Sequence, residues 1–312
     1  MSGMQLLITG GCGFIGSNLS RIALSQGHRV RILDDLSTGR RSNLEGMDVD
    51  LVEDTILNYT AVVKAMTAAD AVVHLGAIPS VPRSVANPRA SHEANTTGTL
   101  NVLEAARETG VRHLSVASSS SVYGANPKLP KSEFDYTRPM SPYAVSKQAA
   151  EGYALAYQFS YGLPTMAFRF FNVYGPGQHP DHDYAAVIPK FLDAAMQGHP
   201  VIVHGDGTQS RDFTFVDTVC SVLLQAAERR VVSPDPVNLA YQTNLSLLEL
   251  LDLIEEELGH PVAREFAERR AGDVKASQAD CRLVKEMFGD VIPVSLEDGL
   301  KATIEWMKGL PR

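Results

Sequence analysis

The chain has 312 residues, 44% of them hydrophobic, and a formal net charge of −8. This length and composition exclude a disordered or fibrous protein and fit one large domain or two unequal ones. The acidic balance argues against nucleic-acid binding as the main activity, because that activity would call for a clustered basic surface.

Compartment and metal binding can also be judged from the residues. No long uncharged apolar stretch could span a bilayer, and the N-terminal residues lack the pattern of a signal peptide. Cys12, Cys220 and Cys281 are far apart and odd in number, which suits neither a disulfide framework nor a zinc site. His179 and His182 have a metal-like spacing, but the sequence places no third ligand beside them. We expect a cytoplasmic protein without a membrane partner or a metal.

The first half of the chain alternates short apolar runs with stretches of helical spacing. This alternation predicts an α/β fold built on a Rossmann-type, doubly wound parallel sheet. The expected elements are strands at 5–9, 30–33, 49–52, 71–75 and 113–117, and helices at 14–26 and 95–109.

A long helix is expected from Pro142 to Tyr161, stopped by Gly162, with a strand following at 165–170. After Pro176 the alternation of strands and helices becomes less regular. Further helices are predicted at 187–197, 217–230 and 247–258. We expect a Rossmann domain over 1–176 and a smaller C-terminal α/β substrate lobe over 177–312, with some chain returning to the first domain.

Glycines follow the first predicted strand and open the first helix, at Gly10, Gly13 and Gly16. Glycines at this spacing allow a tight turn and the close approach of a pyrophosphate, and the helix N-terminus adds N–H groups and a positive dipole. Phe14 and Ile15 belong to the same loop. A lone run of this kind can be only a tight turn, but its place between strand and helix favours a dinucleotide.

Acidic residues follow the second and third strands. Asp34 stands where a carboxylate can accept hydrogen bonds from an adenosine ribose and would repel a 2′-phosphate, which favours NAD over NADP. Arg40 and Arg41 weaken that inference, since either could pair with such a phosphate. Asp54 and Ile56 could flank the adenine, although an acidic turn is an alternative reading.

Tyr143 and Lys147, in the run SPYAVSK, share one face of the predicted helix. A tyrosine titrates near 10, so a basic role near neutrality needs about three pKa units of depression. Lys147 and an oxidised nicotinamide carry charge of the required sign. Tyr and Lys at this spacing also recur on ordinary amphipathic helices, so the glycine loop is what makes the pair significant. The serine-rich run ASSSSVYG supplies hydroxyls at the carboxyl end of the fifth strand, where open α/β folds bind ligands.

Taken together, several motifs resemble one family. In chain order they are the glycine loop, the serine run, SPYAVSK, RFFNVYGPGQ, GDGTQSRDF and ERRAGDVKASQAD. They resemble the extended short-chain dehydrogenases/reductases, specifically the nucleotide-sugar 4-epimerases, and the resemblance covers nearly the whole chain. It implies bound NAD, a UDP-sugar substrate and inversion of C4 through a transient 4-keto sugar.

The resemblance also implies roles for individual residues. Ser119 would hydrogen-bond the sugar hydroxyl, Tyr143 would act as the base, and Lys147 would hold the nicotinamide ribose. The substrate residues implied by the matching motifs are Asn172, Arg211 and Arg270 for the phosphates, Asp273 for the nucleotide ribose and Ser277 for the sugar pocket.

Two departures select among subfamilies. Ser120 and Ser121 stand where related 4,6-dehydratases carry Asp-Glu, so elimination and decarboxylation lose support. Ser277 stands where narrow glucose/galactose epimerases carry a bulky aromatic residue, which leaves room for an N-acetyl group. The pattern therefore resembles the branch that interconverts UDP-N-acetylglucosamine and UDP-N-acetylgalactosamine.

Alternative functions stay open at this point. Uronic-acid epimerases share the Ser-Ser feature, a reductase of the same fold would release its cofactor each turn, and a silent member would bind NAD without catalysis. Relatives usually dimerise through the helices matching 95–109 and 142–161, so a homodimer is expected.

Overall fold

A computed structural model describes residues 3–180, 186–268 and 276–310. The strands within these ranges are β1 (Gln5–Thr9), β2 (Arg29–Asp34), β3 (Asp50–Glu53), β4 (Ala71–His74), β5 (Leu114–Ser119), β6 (Thr165–Phe170), β7 (Val173–Tyr174), β8 (Val201–His204), β9 (Ser210–Asp212), β10 (Thr214–Phe215), β11 (Val237–Leu239), β12 (Asn244–Ser246), β13 (Arg264–Ala267) and β14 (Ala276–Ser277). The helices are α1 (Phe14–Ser25), α2 (Tyr59–Met66), α3 (Val81–Ala86), α4 (Pro88–His92), α5 (Gly98–Thr109), α6 (Pro142–Tyr161), α7 (Val187–Met196), α8 (Val216–Arg229), α9 (Leu247–Leu258), α10 (Arg282–Met287) and α11 (Leu296–Lys308).

The main sheet of the described chain has seven parallel strands in the order β11–β6–β5–β4–β1–β2–β3. The predicted Rossmann-type sheet is thereby confirmed. The chain winds outward in one direction from β1 to β3 and in the other from β4 to β6. The carboxyl ends of β1 and β4 therefore border the crevice where doubly wound folds bind ligands.

Helix α6 matches its predicted bounds because its ends carry strong local signals. The Ser141 hydroxyl accepts a hydrogen bond from the Ala144 N–H at 3.1 Å, Pro142 occupies the first turn, and Gly162 closes the helix with a φ of 67°. Strand β6 and helix α9 also match. Most other elements differ from their predicted bounds by one or two residues.

The prediction of a regular helix over 95–109 is wrong in its first turn. Residues Glu93–Thr97 form a wider, π-type turn, and α5 begins at Gly98. The reason lies in the hydrogen bonds of Asn95. Its side-chain oxygen accepts the Ile78 N–H at 2.7 Å, and its backbone carbonyl accepts the Thr99 hydroxyl at 2.6 Å, where a regular helix would bond the Thr99 N–H.

Apolar cores lie on both faces of the main sheet. Helices α1 and α8 pack on one face, through buried residues such as Leu19 and Val219. Helices α2, α5 and α6 pack on the other, through residues such as Val62, Val102 and Ala154. Because both faces are covered, the central strands β1 and β4 are nearly continuous apolar runs.

The second half of the chain contributes smaller sheets and one strand of the main sheet. Strands β12, β9 and β14 form a three-stranded sheet, while β8 pairs with β13 and β7 with β10. Strand β11 lies beside β6 and completes the main sheet. Within the described ranges, no helix is both long and apolar enough to cross a bilayer.

Candidate active site

The glycine loop between β1 and α1 closes tightly on itself and on the turn after β4. Gly10 has a φ of 72°, and a Cβ there would lie 2.7 Å from the Gly76 nitrogen. A Cβ on Gly16 would lie 2.4 Å from the Gly10 carbonyl oxygen. Both positions therefore require glycine for reasons internal to the loop.

Gly13 differs from these two, because its own loop does not demand glycine. Its φ of −77° suits any residue, and the nearest described atom that a Cβ would meet is the Gly10 carbonyl oxygen at 3.2 Å. Helix α1 starts directly after it, with Phe14 and Ile15 in the first turn and no capping side chain among the described residues. This leaves room and N–H groups for a pyrophosphate, so the loop fits the predicted dinucleotide.

Asp34 ends β2 with a buried carboxylate beneath this loop. Its Oδ2 accepts the Cys12 N–H at 2.8 Å and its Oδ1 accepts the Leu36 N–H at 2.9 Å. Burial raises the pKa of Asp34, and these two N–H groups oppose the rise. Each oxygen keeps a lone pair for a ribose hydroxyl. Arg41, a potential 2′-phosphate ligand, forms an ion pair with Glu53 at the end of β3.

Asp54 and Ile56, the predicted adenine neighbours, lie in the turn before α2. Asp54 is half-buried, and its Oδ1 accepts the Thr55 N–H at 2.8 Å. Ile56 is buried where a Cβ on Gly98 would lie 2.5 Å from its Cδ1 atom. The turn therefore has a structural role of its own, whether or not an adenine lies against it.

The phenol of Tyr143, in the first turn of α6, lies near Ser119 at the end of β5. Burial raises the pKa of Tyr143, and the Ser119 side chain lowers it. Sequence reasoning assigned the lowering to Lys147 together with an oxidised nicotinamide. In the chain itself, Ser119 is the neighbouring side chain that lowers this pKa. The structure thus brings two predicted catalytic residues together.

Ser121 holds Ser119 in place. The sequence had marked Ser121 only as a position where dehydratases carry a carboxylate. The Ser121 hydroxyl donates to the Ser119 Oγ at 2.9 Å, and the Ser121 N–H donates to it at 3.2 Å. With two hydrogen bonds accepted, the Ser119 oxygen has its own proton left to donate toward Tyr143. Ser121 therefore orients Ser119.

Lys147 lies one turn further along α6, buried against the main sheet. Its Nζ donates to the Ala117 carbonyl of β5 at 2.8 Å. Burial lowers the pKa of this ammonium to about 8. A lysine fixed on β5 has two further protons to donate, which suits the predicted contact with a nicotinamide ribose.

Behind Lys147, a chain of buried hydrogen bonds crosses from β1 to the turn before α5. The Thr99 hydroxyl gives its proton to the Asn95 carbonyl, so Thr99 Oγ1 must accept the His74 Nε2–H at 2.9 Å. His74 Nδ1 then accepts the Thr9 hydroxyl proton at 2.6 Å. Burial, helped by the charge of Lys147, lowers the pKa of His74 to about 3. The histidine is therefore neutral, as expected for a satisfied core residue.

Asn95 connects this series of hydrogen bonds to helix α6. Its Nδ2 donates to the Ser146 Oγ at 3.0 Å, and Ser146 in turn donates to the Tyr143 carbonyl at 2.8 Å. The same Nδ2 donates to the Ile78 carbonyl at 3.1 Å. Asn95 therefore ties the loop after β4 to the backbone that carries Tyr143. No sequence motif singled out this residue, because the link depends on three segments meeting in space.

The predicted substrate residues are only partly brought together. Arg211 on β9 lies level with Ser277 on β14, so the two side chains share one face of their small sheet. The Arg211 Nη1 donates to the Ser210 carbonyl at 2.8 Å. Asn172, after β6, donates its side-chain N–H to the Asp212 carbonyl at 3.0 Å. The remaining two predicted residues, Arg270 and Asp273, lie outside the described residues.

Comparison with known proteins decides the family. Residues 6–240 match the NAD dependent epimerase/dehydratase family. The chain belongs to this family. Its cofactor is NAD, as predicted from the glycine loop and Asp34. Among the described residues, no group of three His, Cys, Asp or Glu side chains is placed to hold a metal ion, and His182 lies outside them.

The chain is similar over nearly its whole length to several proteins that are named as UDP-sugar 4-epimerases. It is 36% identical over 315 residues to the UDP-glucose 4-epimerase of Mycolicibacterium smegmatis, covering 98% of this chain and 99% of that protein. It is 32% identical over 340 residues to a probable UDP-glucuronate 4-epimerase of Rhizobium meliloti, covering 97% and 96%. A UDP-N-acetylglucosamine 4-epimerase structure from Methanobrevibacter ruminantium, in complex with UDP-N-acetylmuramic acid, superposes with a TM-score of 0.93 at 33% identity, covering 99% of both chains. The predicted epimerase family is confirmed.

Proposed function

We propose that this protein, an isomerase of the UDP-sugar 4-epimerase type that uses NAD, inverts C4 of N-acetylated hexoses and accepts the UDP-glucose/UDP-galactose pair as well. The nearness of Ser119 to Tyr143, through which Ser119 lowers the pKa of the phenol, carries the catalytic part of this proposal. It supports a base and a second hydroxyl acting together at the carboxyl end of β5. The small side chain of Ser277, level with Arg211, supports the substrate part.

The chain's residues divide the chemistry between them. Tyr143 removes the proton of the C4 hydroxyl and later returns it. Ser119, whose proton is turned toward Tyr143 in the unliganded site, redirects that proton to the C4 oxygen and so holds the sugar hydroxyl in line. Lys147, fixed by the Ala117 carbonyl, holds the nicotinamide ribose. Bound NAD supplies the hydride acceptor and, when oxidised, a positive charge that opposes the pKa rise that burial imposes on Tyr143. Turning of the 4-keto sugar in the pocket lets the second face be reduced.

The two residues that follow Ser119 in the sequence argue for epimerisation over elimination. The two positions that carry Asp-Glu in dehydratases hold Ser120 and Ser121 here. The Ser121 hydroxyl donates its proton to the Ser119 oxygen. A serine hydroxyl titrates far too high to deprotonate C5 of a sugar, so this wall of the site supports no elimination step.

A UDP-glucuronate 4-epimerase is the second candidate. The Rhizobium relative is named for that activity, and the Ser-Ser feature is compatible with it. The two candidates differ in which group must fit beside the sugar ring: a carboxylate at C5 or an N-acetyl group at C2.

The substrate is tested with a panel of three UDP-sugars. Purified protein is incubated with UDP-glucose, UDP-N-acetylglucosamine and UDP-glucuronate, and C4 inversion is followed by proton NMR. We expect inversion of the acetylated sugar. Inversion of UDP-glucose alone would refute the argument from Ser277, and inversion of the uronate alone would establish the second candidate.

A homodimer that uses α6 is also part of this proposal. One face of α6 carries exposed residues that are apolar or small: Val145, Gly152, Tyr153, Ala156 and Phe159. Phe159 is 74% exposed and Val145 53%. An apolar stripe on a helix that also carries Tyr143 and Lys147 is better suited to a partner subunit than to water.

Residence in the cytoplasm is supported by the cysteines. Cys12, Cys220 and Cys281 are all buried and free of disulfides. Burial raises the pKa of each thiol. Inert, unpaired thiols of this kind fit a reducing compartment.

A further inference from the structure

Asp212, on β9 next to Arg211, is a fully buried carboxyl group surrounded by backbone N–H donors. Its side chain is 0% exposed. Oδ1 accepts the Thr243 N–H at 3.2 Å, and Oδ2 accepts the Ala279 N–H at 3.1 Å. The neighbouring Gln242 N–H helps to lower the pKa of this carboxyl group, against the rise caused by burial. No ion pair to Asp212 is found among the described residues, and Lys285 is the nearby cation that acts on it electrostatically.

These donors come from the two segments that flank β9. Gln242 and Thr243 immediately precede β12, and Ala279 follows β14 by two residues. Asp212 lies on the middle strand of this three-stranded sheet, and its side chain bonds to residues next to each of the two outer strands, β12 and β14. Its backbone extends the connection, because the Phe213 N–H donates to the Thr243 carbonyl at 3.0 Å.

The face opposite Asp212 is the one expected to meet the substrate. Side chains alternate along a strand, so Arg211 and Asp212 point to opposite faces of the sheet. Arg211 lies level with Leu245 on β12 and Ser277 on β14. On the opposite face of the sheet, the Asp212 carboxyl group therefore fixes the backbone next to the strands that carry the row of Arg211, Leu245 and Ser277.

A second contact connects this sheet to the catalytic strand. The Asn172 side chain donates to the Asp212 carbonyl at 3.0 Å, and the Thr214 N–H donates to the Asn172 carbonyl at 3.2 Å. Asn172 follows β6, whose last residue Phe170 lies level with Ser119 on β5. The backbone of Asp212 therefore stands between the Ser119 end of the main sheet and the Arg211 row.

An acceptor with two oxygens is required at this position. Each oxygen accepts one backbone N–H, from Thr243 or from Ala279, and a carboxylate offers acceptors only. An amide of the same shape would turn its own NH₂ toward at least one of these donors, leaving a buried N–H unsatisfied. Burial opposes the charge of this carboxyl group and raises its pKa to about 6.

We propose that Asp212 is a positioning residue for substrate binding: it fixes Arg211 and Ser277 relative to each other and to the catalytic strand, and so sets the affinity for the nucleotide-diphosphate part of the substrate. It does not itself reach the ligand, because its side chain faces away from that row. The inference rests on the proposed UDP-sugar epimerase function.

Asp212→Asn tests this with the NAD-loaded enzyme. We expect the dissociation constant for UDP, measured by calorimetry, and the KM for the sugar nucleotide to rise at least about tenfold, as for the loss of a buried charge-assisted hydrogen bond. We expect kcat to stay within about threefold and the NAD content to be unchanged. Backbone N–H groups of residues 242–243 and 279 should exchange faster with deuterium. Unchanged UDP affinity, with or without faster exchange, would overturn the proposal.

Glu133→Gln is the matched control. Glu133 is another buried carboxyl group, and its Oε1 accepts the Asn238 N–H of β11 at 2.9 Å, in the main sheet rather than in the three-stranded sheet of β9. Its replacement should leave the UDP dissociation constant unchanged; an equal loss in both variants would mean general loosening and would contradict a specific role for Asp212. Wild-type protein that neither binds UDP nor inverts any of the three sugars would refute the proposed function rather than this inference.

Wild-type protein provides a second measurement in case Asp212→Asn does not fold. Saturating UDP should slow deuterium exchange at Thr243 and Ala279, because ordering of the Arg211 row is transmitted through Asp212 to both donors. Exchange at these two sites that does not respond to UDP would contradict the proposal.

Discussion

Glu151, in the middle of α6, and Arg169, on β6, form a two-point ion pair in the interior. Arg169 Nε donates to Oε2 at 2.9 Å and Nη2 donates to Oε1 at 2.6 Å. The Ser118 hydroxyl donates to the same carboxylate at 2.7 Å. The pair therefore fastens α6 to β5 and β6, next to Ser119.

Replacement of Glu151 by Gln should cost about 3 kcal/mol of unfolding free energy, because it leaves a buried guanidinium without its counter-charge. The two side chains are only 7% and 4% exposed, so solvent screening is small. Urea denaturation followed by circular dichroism measures the change. Glu305→Gln, in an exposed pair with Lys308, should cost less than about 0.5 kcal/mol. Equal costs at both sites would contradict this assignment.

Tyr143→Phe should lower kcat by a factor of about 10² to 10⁴ while NAD stays bound, because it removes the proposed base and leaves the fold intact. The NMR assay measures the rate, and absorbance of the released nucleotide measures the cofactor. Tyr153→Phe, on an exposed part of the same helix, is the control and should keep full activity. An undiminished rate in the Tyr143 variant would remove the proposed mechanism.

Asp34→Asn should weaken NAD binding by about tenfold or more, because an amide cannot accept from the Cys12 and Leu36 N–H groups and from a ribose at once. Titration of NAD-free protein by fluorescence provides the measurement. Asp35→Asn changes the neighbouring, exposed carboxylate, which accepts the Ser37 N–H at 3.0 Å, and should have little effect. Similar losses in the two variants would argue against a specific ribose contact.

Asp212 should impose a pH dependence on stability that Asp212→Asn lacks. Burial raises the pKa of Asp212 from 3.8 to about 6, so the folded state binds this proton more tightly than the unfolded state does. Its contribution is therefore full below about pH 4 and is lost as the pH rises through about 6, with a magnitude of about 3 kcal/mol. Unfolding free energies of both proteins between pH 4 and 8 give the difference. A difference that is flat across this window would show that Asp212 titrates normally.

Ala156→Arg should convert the expected dimer to a monomer, because it places a charge in the middle of the apolar stripe on α6. Ala156 is exposed, so the fold of the single chain should tolerate the change. Multi-angle light scattering gives the mass, for which one chain contributes 33.8 kDa. Ala302→Arg on α11 adds the same charge to another exposed helix and should leave the mass unchanged. A wild-type monomer at micromolar concentration would refute the dimer.

Local signals made much of the fold predictable. Helix α6 has a serine cap, a proline in its first turn and a glycine at its end, so its bounds followed from the sequence. Strands β1 and β4 are short, apolar and bounded by turns. The pairing of β11 with β6 joins segments far apart in the chain, and no local pattern specifies which edge of a sheet such a strand takes.

Sequence motifs pointed to the proposed catalytic residues, but not to the groups that hold them in place. Ser119, Tyr143 and Lys147 each lie in a recognisable run. Ser121 and Asn95 act through hydrogen bonds that form only when separate segments fold together. The same limit applies to the pKa of Tyr143. Helical spacing suggested that Lys147 lowers it, whereas Ser119 is the side chain of the folded protein that does so.

The return of β11 to the main sheet has a consequence for splitting the protein in two. A fragment that stops at residue 176 would lack the strand that covers Phe168–Phe170, leaving a row of N–H and C=O groups on an open β6 edge. Such a fragment would pair with strands of other molecules through this edge and would aggregate. Co-expression of both pieces, rather than of either one alone, is the route by which a divided version of this enzyme could be recovered.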